Sequence, residues 1–273
     1  MDSDRHLRRR GGMGCRSLVG PGAGLRFLLE DDLSMSNKSR DQKPAEMPEQ
    51  SPDIEFFWDP VCPFAWQTSR WLRRVAQLRG LSVDWRFINL SILNEERDYD
   101  NEFPEGYRES HDRGRRMLRV AAAVRTGEGA EAMDRLYRAF GETIWHREVD
   151  DGADFRADVA TPDHLDRVLD QAGVDRLYAN AAADPSWDAE LRAETLEAVG
   201  RTGDDVGTPI MTFGPPDGPS IFGPVISSVP EIDEECLALY DATVTLCGFD
   251  TFSELKRSAR PRLDLPVITG RSG

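Results

Sequence analysis

The chain has 273 residues, of which 39% are hydrophobic and 30% are charged, which allows one large domain or two small ones with a sizeable core. Acidic residues outnumber basic ones by 49 to 34, so the formal net charge is −15. This charge repels polyanions and therefore excludes nucleic acid as a partner. The lack of a long apolar run excludes a membrane span.

Cysteines and histidines are few and widely spaced. Four cysteines stand at positions 15, 62, 236 and 247, a spacing that fits neither a disulfide framework nor a Cys-x-x-Cys metal site. The four histidines form no ligand pair and no phosphate-binding glycine loop is present, so the sequence predicts no metal and no flavin. Few cysteines and no continuous apolar signal segment predict a reducing, cytoplasmic location.

Residues 1–52 are predicted to be a disordered N-terminal extension. They contain Gly, Ser, Pro, Asp and Arg without a sustained hydrophobic period, and from Ser34 to Pro52 they are almost wholly polar. The sequence leaves the translation start open, with Met35 and Met47 as alternatives to Met1.

The predicted folded part begins with a βαβ unit. The short apolar run Ile54–Trp58 predicts a buried strand, and Pro63–Arg79 predicts a helix that ends at Gly80. An alternating pattern within Leu81–Leu90 predicts a second strand. Two strands joined by a helix are expected to be parallel, with a right-handed crossover.

A helical block follows the βαβ unit. Apolar residues recur with the helical period in four segments, and Thr161-Pro162 and Asp184-Pro185 supply helix start signals. The predicted helices are Tyr107–Thr126, Glu131–Trp145, Thr161–Ala172 and Ser186–Gly200.

Strands return near the end of the chain. Thr208–Phe213 and Ser220–Val225 are predicted strands joined by a Gly- and Pro-rich connection, and Glu231–Phe249 and Thr251–Arg257 are predicted closing helices. The order β-α-β, helical block, β-β-α predicts an α/β class, with a thioredoxin-like fold that contains an inserted α-helical subdomain. Residues 53–90 and 202–260 would form the thioredoxin-like domain, 91–201 the inserted subdomain and 261–273 a C-terminal tail.

Cys62 is the candidate nucleophile. It stands where the first strand gives way to the first helix, and Pro63 suits the first helical position because it lacks an N–H. The free N–H groups and dipole of a helix N-terminus favour a thiolate, so the sequence predicts a Cys62 pKa below the ordinary value of about 8.5. Cys236 and Cys247 lie on a predicted amphipathic helix and are expected to be core residues.

Several segments resemble the DsbA-like branch of the thioredoxin superfamily and, more narrowly, the actinobacterial mycothiol-dependent nitroreductase family. The resemblance extends from about residue 54 to residue 257. In dithiol relatives a second cysteine stands three residues after the first, whereas this chain has Ala65. The matching segments are Phe57-Trp58-Asp59-Pro60-Val61-Cys62-Pro63, Ser69-Arg70-Trp71, Ile92-Leu93-Asn94-Glu95 with Arg97-Asp98, Gly203-Asp204-Asp205-Val206-Gly207-Thr208-Pro209 and Phe222-Gly223-Pro224-Val225.

The resemblance implies a set of site residues around Cys62. The Thr208-Pro209 bond would be cis and lie against Cys62, with the Thr208 backbone available to a bound thiol compound; a trans proline that starts an edge strand is the alternative. Pro63 would belong to the same site. Phe64 and Trp66 would form an aromatic wall beside the sulfur, or simply pack the first helix.

Three residues outside the first helix are further candidates. Asn94 would hydrogen-bond an amide or a sugar hydroxyl, and Tyr107 would cap an aromatic ligand; each has the alternative of an ordinary turn or surface residue. His146 could face the cleft, but a solvated position on the helix surface is the favoured interpretation.

The resemblance implies a cytosolic thiol-dependent oxidoreductase. With Ala65 in place of a second cysteine, Cys62 would work by a monothiol mechanism with a low-molecular-weight thiol, mycothiol, as co-substrate, and would reduce disulfides or small electrophiles such as nitroaromatics. The alternatives are a kappa-type glutathione transferase or isomerase and a non-catalytic thiol sensor. The oligomeric state is left open, a homodimer included.

Overall fold

The structure is a computed structural model that describes residues 51–148 and 154–270. The predicted N-terminal extension, apart from its last two residues, lies outside the described residues. No helix within the described ranges is long and apolar enough to cross a membrane.

A single mixed sheet forms the centre of the fold. Its strands are β1 (Ile54–Trp58), β2 (Val83–Phe87), β3 (Ile210–Phe213) and β4 (Ser220–Phe222), arranged in the order β2-β1-β3-β4. β1 pairs in parallel with β2 and antiparallel with β3, and β3 pairs antiparallel with β4. This order and these directions, with helices between β2 and β3, confirm the predicted thioredoxin-like fold class.

The helices surround the sheet and fill the long connection between β2 and β3. Two 3₁₀ helices, Arg176–Ala183 and Pro185–Trp187, accompany the α-helices. The placement of the helices between β2 and β3 is consistent with an inserted helical subdomain, whose boundaries at residues 91 and 201 stay a prediction. The α-helices are α1 (Pro63–Arg79), α2 (Leu90–Leu93), α3 (Tyr99–Glu102), α4 (Tyr107–Glu128), α5 (Ala132–Trp145), α6 (Pro162–Ala172), α7 (Asp188–Thr202), α8 (Asp233–Cys247) and α9 (Pro266–Thr269).

The central strand β1 is buried on both faces, and its side chains alternate between two apolar clusters. Phe56 and Trp58 belong to the main core with residues of α1, α4 and α5, whereas Phe57 belongs to a smaller cluster with Ala198 of α7 and Ile210. Helices therefore cover both faces of the sheet, which explains why four of the five β1 residues are apolar. The fifth, Glu55, is buried and pairs with Arg86 and Arg201.

The end of the chain differs from the sequence-based expectation. Thr251–Arg257 was predicted to be helical, and this prediction is wrong: the segment contains no helix. Its residues are exposed except for the half-buried Phe252, so a helix there would have no apolar face to bury. Beyond it, Leu263 and Leu265 are buried in the main core, and α9 follows.

Candidate functional site

Cys62 is the N-cap residue of α1, at the end of a tight turn that leaves β1. The backbone N–H of Cys62 donates to the carbonyl of Asp59 at 3.0 Å, and the N–H of Ala65 donates to Cys62 Sγ at 3.4 Å. Pro63 occupies the first helical position. The sulfur therefore takes the place that a side-chain oxygen usually has at a helix N-terminus.

Thr208 lies against Cys62 although the two residues are 146 positions apart in the sequence. The Thr208 hydroxyl donates to Cys62 Sγ at 2.8 Å, and the Thr208 carbonyl oxygen is 3.8 Å from the sulfur, where it accepts from the thiol. The Thr208–Pro209 bond is cis. One residue thus offers a donor to a thiolate and an acceptor to a thiol.

The structure corrects the predicted acidity of Cys62. Burial of the thiol, which is only 6% exposed, raises its pKa above the ordinary value. This effect outweighs the hydrogen bonds from the Thr208 hydroxyl and the Ala65 backbone, which lower the pKa, and the charge of Asp59 raises it further. The expected low pKa is wrong for the resting site, because loss of hydration outweighs the helix N-terminus.

Asp59 is a site residue that the sequence analysis did not select. It is 0% exposed, and burial raises the pKa of its carboxyl to about 7. Its Oδ1 accepts from the Val61 backbone at 3.0 Å, and its Oδ2 accepts from the Leu90 backbone at 2.9 Å and from Asn89 Nδ2 at 3.3 Å. The carboxyl therefore joins the Cys62 turn to the start of α2. Its sequence signal was an acidic residue directly before Pro60, three positions ahead of the cysteine.

Two helical residues hold the Cys62 turn from the other side. Gly114 of α4 faces Asp59 so closely that a Cβ at this glycine would lie 2.6 Å from Asp59 Oδ1. Trp145, the last residue of α5, donates from Nε1 to the carbonyl of Pro60 at 3.1 Å. Neither was selected from the sequence, because only the folded chain brings α4 and α5 to the turn.

Trp66 lies in the core rather than along an open wall. It is 2% exposed, and its ring packs so close to α5 that a Cβ at Gly141 would lie 2.1 Å from Trp66 Cε3. The rings of Tyr137 and His146 meet it edge-on at 5.6 and 5.8 Å. His146 is therefore half-buried at the C-terminus of α5 rather than solvated, which differs from the favoured sequence interpretation.

The remaining predicted residues are near the surface. Phe64 is half-buried on the first turn of α1, where the guanidinium of Arg260 lies 5.5 Å from its ring centre. Asn94 caps α2 and donates from Nδ2 to the Leu90 carbonyl at 2.8 Å. Tyr107 is 38% exposed at the start of α4 and lines a cavity of about 320 Å³. Their roles as binding residues stay predictions.

The described part of the chain contains no group of three or more His, Cys, Asp or Glu residues arranged to hold a metal ion. Cys236 is buried, and Cys247 is half-buried. The chemistry that the described site can offer is therefore that of one thiol with a hydroxyl donor and a nearby carboxyl.

Comparison with known proteins gives a family match and more distant likenesses. A family model described as Rv2466c-like, mycothiol-dependent nitroreductase Rv2466c, matches residues 61–257. The chain is 28% identical over 216 residues to the uncharacterized protein Rv2286c of Mycobacterium tuberculosis (strain ATCC 25618 / H37Rv), covering 76% of this chain and 83% of that protein.

Two solved structures illustrate the structural likenesses. A 2-hydroxychromene-2-carboxylate isomerase is 18% identical with a TM-score of 0.44, over 71% of this chain and 95% of the isomerase. The cytosolic disulfide reductase DsbM from Pseudomonas aeruginosa is 15% identical with a TM-score of 0.42, over 71% of this chain and 98% of DsbM. Scores of this size support no functional inference.

Proposed function

Because this chain belongs to the Rv2466c-like family of mycothiol-dependent nitroreductases and is a thiol-dependent oxidoreductase, we propose that it uses Cys62 in a monothiol cycle with mycothiol. Its substrates would be disulfides or small electrophiles such as nitroaromatics. The observation that supports this proposal best is the hydrogen bond of 2.8 Å from the Thr208 hydroxyl to Cys62 Sγ, since a hydroxyl donor stabilises a sulfur anion more than a neutral thiol.

The cycle with a disulfide substrate balances with one cysteine. The Cys62 thiolate attacks one sulfur of the substrate disulfide, so that a mixed disulfide forms at Cys62 and the other sulfur leaves as a thiolate. The mycothiol thiolate then attacks the mixed disulfide, releases Cys62 as a thiolate and leaves a disulfide of mycothiol with the substrate thiol. With one mycothiol the net reaction is an exchange, in which Cys62 is regenerated and one substrate sulfur leaves as a thiol. A second mycothiol then releases the other substrate thiol and forms mycothiol disulfide, so two mycothiols supply the two electrons that reduce the substrate disulfide.

The cycle with a nitroaromatic requires two equivalents of mycothiol for each two-electron step. In the first half, Cys62 and one mycothiol are oxidised to their mixed disulfide while the nitro group becomes a nitroso group and one oxygen leaves as water. In the second half, another mycothiol attacks the mixed disulfide, which releases mycothiol disulfide and regenerates Cys62. Ala65 cannot resolve the mixed disulfide internally, so the external thiol is needed at this step.

The same proposal includes the surroundings of Cys62. Phe64, Asn94 and Tyr107 would contact the thiol or the electrophile, and the helices between β2 and β3 would cover the cleft. The side-chain Nδ2 of Asn94 already donates to the Leu90 carbonyl of α2, so Asn94 would offer a ligand mainly its side-chain oxygen as an acceptor. We place the reaction in the cytoplasm, where low-molecular-weight thiols keep cysteines reduced, and we include a homodimer as an oligomeric state to be measured.

Intact-protein mass spectrometry tests the monothiol cycle. In protein that carries Cys15→Ser, so that only the three described cysteines are present, we expect treatment with mycothiol disulfide to add one mycothiol. Adding Cys62→Ser should abolish the adduct, and adding the control Cys236→Ser should leave it unchanged because Cys236 is buried in the core. Ala65→Cys places a second thiol three positions after Cys62 on the first helical turn. This variant should lose the adduct and end as an internal disulfide, about two mass units lighter than its reduced form.

The outcomes separate the functions that the sequence left open. If the Cys15→Ser protein forms no adduct and Ala65→Cys forms no internal disulfide, the monothiol cycle is wrong and Cys62 is not a redox centre. If the adduct forms but an electrophile is converted without net loss of thiol, the kappa-type transferase or isomerase mechanism replaces the reductase.

A further inference from the structure

The C-terminal segment 258–270 lies beyond the family match, which ends at residue 257. Its helix α9 contacts α5, and its Arg260 lies over the ring of Phe64 of α1. The Ser227 hydroxyl donates to the carbonyl of Pro261 at 3.1 Å, and the Asp264 backbone donates to the carbonyl of Ser227 at 2.8 Å. The segment is therefore held by its backbone on the strand-to-helix connection that precedes α8.

Two buried leucine side chains anchor the same segment. Leu263 is almost fully buried and Leu265 is fully buried in the main core. Burial of these two apolar side chains stabilises the position of the segment. Leu263 and Leu265 follow Arg260 closely in the chain, and their burial therefore fixes the position of Arg260 on the domain.

Arg260 contacts the ring of Phe64, which is two positions after the nucleophile Cys62. The guanidinium carbon of Arg260 lies 5.5 Å from the centre of the Phe64 ring, which is within the range of a cation–π contact. The backbone N–H of Phe64 acts on the Cys62 thiol and lowers its pKa. The contact with Phe64 therefore places the Arg260 charge at the same end of α1 as the nucleophile.

The charge of Arg260 is available to a ligand. Arg260 is exposed, and among the described residues no carboxylate lies within ion-pair distance of it, whereas other arginines such as Arg74 and Arg79 pair with Asp233 and Asp241. The chain as a whole has a net charge of −15 and repels anions. A guanidinium at the end of α1 that carries Cys62, without a carboxylate partner in the part of the chain that the structure describes, offsets that repulsion at one place.

We propose that Arg260 is a specificity-determining residue that selects aromatic electrophiles or disulfides bearing an anionic group such as a carboxylate. The aromatic part of such a substrate would lie along Phe64, and its carboxylate would accept from the Arg260 guanidinium, which matches the planar geometry of a carboxylate. This inference rests on the proposed reaction at Cys62, because it concerns which molecule reaches that sulfur.

Two aryl disulfides of similar shape test the inference. The anionic probe is dithiobis(nitrobenzoate), with a carboxylate on each ring, and the neutral probe is dithiodipyridine. In both cases the Cys62 thiolate displaces a coloured aryl thiolate and retains the other half as a mixed disulfide. The measured quantity is the ratio of the two second-order rate constants, so that a change in Cys62 reactivity common to both probes cancels.

We expect Arg260→Glu to lower the anionic-to-neutral rate ratio by about tenfold, and Arg260→Lys to retain most of the ratio. Higher salt should reduce the difference between wild type and Arg260→Glu, because exposed charges are screened. The matched control is Arg116→Glu, which changes the net charge by the same amount at an exposed residue of α4. Arg116 is two positions from Gly114, and Gly114 faces the Cys62 turn.

The outcomes separate this inference from the proposed function. If wild type and Arg260→Glu react with both probes at an unchanged ratio, or if Arg116→Glu changes the ratio as much as Arg260→Glu does, Arg260 does not select anions and the reaction at Cys62 stands. If wild type reacts with neither probe, or reacts equally well as Cys62→Ser, the proposed reaction fails and the role of Arg260 fails with it.

Discussion

Thr208 is the residue whose side chain acts most directly on a charge at Cys62. Its hydroxyl donates to Cys62 Sγ at 2.8 Å and lowers the pKa of a thiol that burial raises. Asp59 acts in the opposite direction, because its negative charge opposes a second negative charge on the sulfur. The acidity of Cys62 is therefore set by burial, which has the largest effect, and by the charge of Asp59. The Thr208 hydroxyl and the backbone N–H groups of Ala65 and Phe64 oppose both.

Removal of the Thr208 hydroxyl should make Cys62 less acidic. Thr208→Val keeps the shape of the side chain but removes the donor, and a hydrogen bond to a charged group contributes about 1.5–3 kcal/mol, so we expect the pKa of Cys62 to rise by about one unit or more. The pH dependence of the iodoacetamide alkylation rate measures this change. Thr245→Val is the control, since the Thr245 hydroxyl is exposed on α8 and donates to the Asp241 carbonyl. An alkylation midpoint that is the same in Thr208→Val and wild type would contradict the proposed donor role.

At the scale of elements, aromatic side chains join α1, the helix that begins at Cys62, to α5. Trp66 of α1 lies against α5 at Gly141, and Tyr137 stacks on Trp58 of β1 with ring centres 4.0 Å apart. Arg73 of α1 fits between these rings: it is 13% exposed, lies 4.2 Å from the Trp85 ring centre and pairs with Asp134 at 2.7 Å. The helix that positions Cys62 is therefore packed on its α5 side by aromatic rings and one arginine.

A pair of glycine substitutions tests this packing. Gly141→Ala would place a Cβ 2.1 Å from Trp66 Cε3, so we expect a loss of about 1–3 kcal/mol in the free energy of unfolding, the usual cost of overpacking. Gly200→Ala is the matched control, because it also lies in a helix but has nothing within 4 Å of an added Cβ. It should stabilise the protein by up to about 1 kcal/mol through helix propensity. Urea unfolding midpoints measure both, and equal midpoints for the two variants would contradict the tight contact.

At the scale of the whole molecule, the buried histidines link folding to pH. Burial lowers the pKa of His111, His146 and His164 to about 4. His164 is the clearest case: it accepts from the Ala160 backbone at 3.1 Å through Nδ1, and its Nε2 lies 3.0 Å from the Thr143 hydroxyl. Between about pH 4 and 6.5 the unfolded chain therefore binds more protons at these residues than the folded chain does.

We expect the free energy of unfolding to rise with pH across that window and to level off above about pH 6.5. Asp59 acts in the opposite direction, because its folded pKa of about 7 lies above its ordinary value, so its contribution to stability is lost as pH rises toward 7. The histidines outnumber it, so the net slope should be positive. Urea unfolding at several pH values measures the slope, and His146→Gln should reduce it by up to about 1.4 kcal/mol per pH unit. A slope that is flat or negative in wild type would contradict the conclusion that these three histidines are neutral in the folded protein.

The sequence by itself determined the elements whose signals are local. β1 and α1 have the predicted bounds, because an apolar run, a proline at the first helical position and Gly80 in the left-handed conformation act within a few residues of each other. The order of strands and helices also followed from local periodicity, and with it the thioredoxin-like fold. The position of Cys62 at the start of α1 was predicted in the same way.

Only the tertiary structure decided which of these residues are buried and what they meet. The pKa of Cys62 is raised because distant elements exclude water from it, and Arg73 of α1, although charged, is almost buried among aromatic rings. Two contacts join residues far apart in the chain: that of Thr208 with Cys62, which only the family resemblance implied, and that of Arg260 with Phe64, which the sequence analysis did not predict. Burial and long-range contacts depend on the packing of the whole chain, so no short segment of sequence encodes them.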